Sequence, residues 1–89
     1  MIESVLPKLR GLLKPKKPPN LDELFQQALS LHQEGQLERA IELYGQCIDR
    51  EPERAEAYYK RANALNGLGR LEPALQDYDR TIRLNPSYA

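Results

Sequence analysis

From Leu21 onward, apolar and polar positions alternate with the period of a helix. Leu24, Phe25, Ala28, Leu29 and Leu31 recur at three- and four-residue spacing, the pattern of one apolar helix face. Asn20 stands just before this stretch with Glu23 three residues on. That spacing predicts a capping box, in which the Asn side chain accepts from an orphan N–H and the Glu reaches back. Gly35 predicts the left-handed residue that ends such a helix. A second stripe, Ala40, Ile41, Tyr44, Cys47 and Ile48, predicts a helix from about Leu37 to Arg50. Pro52 then closes the unit, because the residue before a proline avoids the α region. The same order returns from Ala55 to Gly69 and from Leu71 to Leu84, with Pro73 in a first turn where no intrahelical donor is lost. Gly45 interrupts the second stretch at a cost of about 1 kcal/mol against Ala. Glu56–Lys60 and Asp79–Arg83 are i,i+4 charge pairs expected on solvated faces.

The return is a repeat. Shifted by 34 positions, residues 21–54 align with 55–88 without a gap, and nine positions are identical: Ala28/Ala62, Leu31/Leu65, Gly35/Gly69, Leu37/Leu71, Glu38/Glu72, Ala40/Ala74, Tyr44/Tyr78, Ile48/Ile82 and Pro52/Pro86. Ordinary composition gives about two identities by chance over such a length. The four alanines let paired helices approach closely, and Tyr44 and Tyr78 fill the space beside them. With this period and these offsets, residues 21–88 resemble the tetratricopeptide repeat family. The resemblance implies an all-α fold of tandem antiparallel helix-turn-helix units in a right-handed α-solenoid, with repeats at 21–54 and 55–88. The chain departs from the family pattern where Leu24 and Tyr58 replace an early Trp-like residue, where Gln27-Ala28 and Arg61-Ala62 replace Leu-Gly, and where Cys47 and Thr81 replace a late Ala. Ser87 reads as the N-cap of a further helix starting at 87–89.

Charge separates the repeats from what precedes them. The 89 residues carry 13 basic and 13 acidic groups. Residues 1–20 hold five basic groups against Glu3 and four of the seven prolines, leaving 21–89 net acidic. The first 20 residues read as a basic, Pro-rich tail. Val5, Leu6, Leu9, Leu12 and Leu13 give it one short apolar helical face, interrupted by Pro7 and Gly11. A short helix packed on the repeats or a solvated linker fits this composition, and an anchor for an anionic membrane surface or acidic partner is the sharper reading. The tail lacks the apolar core of a secretory signal and the Arg- and Ser-rich character of a mitochondrial presequence. No apolar run reaches the roughly 20 residues of a membrane span. These features point to a cytoplasmic location. Nucleic-acid binding is not expected, because the tail has no aromatic residue to stack on bases and the repeats are acidic.

Catalytic chemistry finds no purchase. One Cys and one His exclude a disulfide framework and a Cys- or multi-His metal site within the chain. Cys47 falls on a buried stripe, His32 lies on another helix, and Gly67-Leu68-Gly69 is a helix end rather than a phosphate loop. Glu51 and Glu53 flank Pro52 in a loop. We expect no enzyme activity and no cofactor. Recognition remains. The family resemblance implies a concave groove lined by the first helix of each repeat, which places Asp22, Phe25, Leu29, His32, Glu56, Tyr59, Asn63 and Asn66 in it, with Lys60 alongside. A protein or peptide partner with apolar side chains would meet Phe25 and Tyr59 as anchors and Asn63 as a backbone hydrogen-bonding group. The Lys and Asn residues with which some family members clamp a C-terminal carboxylate are replaced by Phe25 and Leu29 in the first repeat, which argues against that ligand. The other readings are that these are ordinary surface residues on a scaffold or are covered by residues 1–13, and that the chain is the partner-recruiting N-terminal part of a longer protein or enzyme such as a glycosyltransferase. Two repeats also leave open ends, so a homo-oligomer or a packed tail helix is expected.

Overall fold

The computed structural model describes residues 19–88. Four α-helices follow one another: α1 (Leu21–Gln33), α2 (Leu37–Arg50), α3 (Ala55–Gly67) and α4 (Leu71–Leu84), then a 3-10 turn at Pro86–Tyr88. Each helix packs on its neighbours in the chain, α1 on α2, α2 on α3 and α3 on α4. The tail, with its expected apolar helical face, lies outside the described residues.

The ends of the helices follow from local chemistry. Asn20 Oδ1 accepts from the Glu23 N–H at 2.8 Å, as the spacing predicts. The reciprocal contact runs through the Asn20 amide, which donates to Glu23 Oε1 at 3.3 Å. Gly35 (φ 84°) and Gly69 (φ 76°) take the left-handed conformation that ends α1 and α3. Behind each, a pair of backbone bonds satisfies the last carbonyls: Gly35 and Gln36 donate to His32 and Leu31, and Gly69 and Arg70 donate to Asn66 and Leu65. The Arg50 guanidinium donates to the Pro19 carbonyl, tying the entry to α1 to the end of α2. The Tyr58 hydroxyl donates to the Pro52 carbonyl at 2.9 Å and holds the connection between repeats. The Ser87 hydroxyl donates to Asn85 Oδ1 at 2.7 Å beside the 3-10 turn, and the further helix expected from there lies outside the described residues.

Small residues set the helix spacing. Ala28, Ala40 and Ala62 are fully buried and Ala74 nearly so, and Cys47 is a buried core thiol. At Gly67, a Cβ would stand 2.8 Å from Leu37 Cδ1, so the end of α3 lies against the tip of the Leu37 side chain, which would have to shift to admit a larger residue. Gly45 is different. A Cβ there would meet Arg61 Nη1 at 3.8 Å, an ordinary contact, so packing does not require glycine in α2.

Candidate functional site

α1 and α3 carry the nine residues assigned to the groove, and the structure divides them. Leu29 and His32 from α1 and Lys60 and Asn63 from α3 line one shallow depression of about 280 Å³, with Gln33 at its edge. Tyr59 lies beside this depression, half-buried, with the Lys60 ammonium 5.8 Å from its ring centre and the Tyr78 ring 6.1 Å away. Lys60 therefore turns toward an aromatic ring, while the Asp79–Arg83 pair forms at 3.0 Å.

Phe25 is a correction. The expected groove anchor is only 3 % exposed and belongs to the hydrophobic core. Its ring packs on Tyr44 at 5.7 Å, and the Arg54 guanidinium covers it at 4.9 Å. Three- and four-residue spacing places Phe25 on the same stripe as Leu24 and Ala28, and burying a large aromatic ring outweighs presenting it to solvent. Asp22 sits at the same end of α1, exposed, 3.6 Å from Arg54. Glu56 is half-buried near Tyr44, and Asn66 is exposed, its carbonyl accepting from the Gly69 N–H that ends α3. These four residues stand apart from the depression.

Polar contacts fix the residues that do converge. His32 Nδ1 and the Tyr44 hydroxyl lie 3.2 Å apart. The Tyr78 hydroxyl donates to Asn63 Oδ1 at 2.6 Å, which leaves the Asn63 amide N–H groups as its donors. Burial pushes the Tyr44 phenol up to about 12, and the nearby Cys47 and Glu56 add to the shift. Burial also raises the Cys47 thiol, against the opposing pull of Arg54 and Arg50, so the thiol stays protonated. Tyr78 is raised as well, by burial and then by Tyr59.

Sequence reasoning missed one constellation. Asp77 on α4 is 1 % exposed. Arg61 on α3 grips it with two hydrogen bonds, Nε at 2.6 Å and Nη2 at 2.9 Å, and Arg80 adds a third at 2.9 Å. The Asp77 hydrogen bond in turn raises Arg61 above the ordinary guanidinium value. The signal was present in the alignment of the repeats: the positions equivalent to Arg61 and Asp77 are Gln27 and Leu43, so both members change together.

A larger depression, about 560 Å³, opens on another side of α1 among Gln26, Gln27, Ser30, Leu31, Glu34, Arg39, Glu42 and Leu43. None of the nine expected residues lines it. Its α1 residues Gln27, Ser30 and Leu31 occupy the positions of Arg61, Ala64 and Leu65, the side of α3 that faces α2, so it is the stacking edge of the first repeat rather than a groove between first helices.

Two antiparallel helix pairs with left-handed glycines and buried alanines at matched positions, 34 residues apart, set the architecture. A tetratricopeptide-repeat profile matches residues 25–89. The chain belongs to the tetratricopeptide repeat family. Membership makes it a protein-interaction module in general, built from repeats that are scaffolds rather than catalysts. None of the curated proteins compared with the chain matches it. Among the described residues, no helix is long and apolar enough to cross a membrane.

Proposed function

We propose that this tetratricopeptide-repeat chain is non-catalytic and holds an extended peptide or helix of a partner protein across α1 and α3. The observation that carries this reading is the convergence of Leu29, His32, Lys60 and Asn63 on one depression from two different repeats. Leu29 supplies an apolar floor. The Asn63 amide, oriented by Tyr78, is placed to donate to a peptide carbonyl. Lys60 supplies positive charge and, with Tyr59, an aromatic face. Phe25 is not an anchor in this reading, because its ring already serves the core.

Selection of peptides from a random display library on the 89-residue chain supplies a ligand, and calorimetry measures it. Tyr59→Ala combined with Lys60→Ala should weaken the selected peptide by about tenfold or more, as expected for truncating an interface anchor. Asn63→Ala should cost about 1 kcal/mol, one hydrogen bond. Asp79→Ala, on the outer face of α4, should leave binding unchanged. Wild-type affinity in the Tyr59/Lys60 variant would place the working surface elsewhere.

A further inference from the structure

The depression shared by α1 and α3 offers hydrogen-bond donors and no negative charge. Asn63 Oδ1 is taken by the Tyr78 hydroxyl at 2.6 Å, so the amide contributes its two N–H groups. Tyr44 is fully buried, and the partner of its hydroxyl is His32 Nδ1, 3.2 Å away. Burial keeps that phenol protonated, and its O–H donates to Nδ1 rather than remain buried without an acceptor. In the neutral imidazole, Nε2–H is then the group that His32 has left to offer. Lys60 adds an ammonium. Gln33 at the edge is neutral, and among the described residues no carboxylate lines the depression.

Lys60 also goes without the counter-ion that its own helix could supply. Glu56 precedes it by one turn, at the i,i+4 spacing of an ion pair. Glu56 lies near Tyr44 instead, and the half-buried ammonium rests 5.8 Å from the Tyr59 ring centre. It has given up water for a ring face and not for an anion.

We propose that an aspartate or glutamate side chain within the bound peptide fills this depression, its carboxylate meeting Lys60, His32 Nε2 and one N–H of Asn63, its stem lying on Leu29. The inference rests on the peptide-groove reading above and names the residue which that groove selects. Charge decides the occupant. One ammonium among neutral donors balances one negative charge, whereas a phosphate would bring close to two. The second Asn63 N–H stays free for the peptide carbonyl, so one amide ties the acidic side chain to its own backbone. A peptide laid across both helices continues on either side of the depression, which makes the carboxylate a side chain's and not a chain end's.

Octapeptides acetylated at the N-terminus and amidated at the C-terminus carry no terminal charge, and a random bead library of them screened on the 89-residue chain supplies the probe. The selected peptides should share an acidic residue at one position. Replacing it by its amide, Asp by Asn or Glu by Gln, should weaken binding in calorimetry by about tenfold or more, the scale of a hydrogen bond to a charged group. Lys60→Met, which keeps the apolar stem, should weaken the acidic peptide by a similar factor, and the two changes together should cost little more than either alone. Raising NaCl from about 50 mM to about 500 mM should weaken the acidic peptide more than its amide analogue. Peptides that respond to Tyr59→Ala and Asn63→Ala but share no acidic position, or whose acidic residue is additive with Lys60→Met, would overturn the carboxylate assignment and leave the groove standing. A screen that succeeds only with a free C-terminus would overturn the side-chain assignment. Peptides indifferent to Tyr59→Ala and Asn63→Ala, or no binding peptide from either library, would overturn the groove and this inference with it.

Discussion

The two repeats share a backbone plan and differ in what fills it. The first closes its helix pair with apolar and aromatic residues: Phe25 packs on Tyr44 under Arg54, and Leu43 is a partly buried member of the core. The second places Asp77 at the position of Leu43 and answers it with Arg61 and Arg80. The phenols diverge too. Tyr44 is fully buried and paired with His32, whereas Tyr78 is half-buried and turned to Asn63 at the groove. A 34-residue repeat therefore fixes helix positions and spacing, and leaves each unit free to choose oil or charge for its interior.

The most forceful way to break this comparison is to give the second repeat the interior of the first. Asp77→Leu should cost about 3 kcal/mol, at the low end for breaking a buried ion pair because Arg61 and Arg80 keep some contact with water. Adding Arg61→Gln, the first repeat's residue, should recover most of that loss, since a matched apolar replacement of a buried pair is often neutral. Urea unfolding followed by circular dichroism measures both. A double variant as weak as the single one would mean that the ion pair is not what distinguishes the repeats.

Burial should also separate the two phenols at high pH. The folded value of Tyr44 lies near 12, above its ordinary 10.0. The fold thus favours the neutral phenol. That contribution is complete below pH 10.0 and is lost as the pH rises from there toward 12. Two units correspond to at most about 2.7 kcal/mol. Tyr78 and Cys47 are raised in the same direction and add to the alkaline loss. Melting temperatures measured between pH 9 and 12 should fall in the wild type. Tyr44→Phe should flatten the fall more than Tyr78→Phe does, because the first repeat's phenol is the more deeply buried. Equal slopes in the two variants would erase this difference between the repeats.

Much of the architecture was legible before any coordinates. The helices over 37–50 and 71–84, the two left-handed glycines and the buried alanines follow from local rules, in which a residue's neighbours at three and four positions decide its environment. What escaped depends on other helices. Phe25 could face a groove or the core on spacing alone, and Tyr44, 19 residues on, decides it. Asp77 drew no reading from the sequence because its partner Arg61 sits 16 residues earlier, on α3. Of the nine residues expected in the groove, Leu29, His32, Lys60 and Asn63 line one depression. The contacts that orient them, Tyr44 to His32 and Tyr78 to Asn63, were not visible, because equivalent tyrosines chose partners at non-equivalent positions.

The smallest expected difference lies at the matched positions Gly45 and Asp79, and it sharpens the comparison without touching the interior of either repeat. Gly45 sits in the middle of α2 with no positive φ, so its glycine only adds freedom to the unfolded chain. A methyl there would meet Arg61 Nη1 at 3.8 Å, an unstrained contact with the tip of a long side chain. Gly45→Ala should therefore stabilise the chain by about 0.5–1 kcal/mol, through lower unfolded-state entropy and better helix propensity. At Asp79 the same replacement removes an exposed pair with Arg83. Such a pair is worth about 0.3–0.5 kcal/mol, and the gain in propensity is of similar size, so Asp79→Ala should move stability little in either direction. Thermal melts of the two variants side by side check the contrast. A Gly45→Ala variant that loses stability would show that the Arg61 side chain needs the space above α2 to reach Asp77, and that the ion pair of the second repeat reaches back to shape the helix of the first.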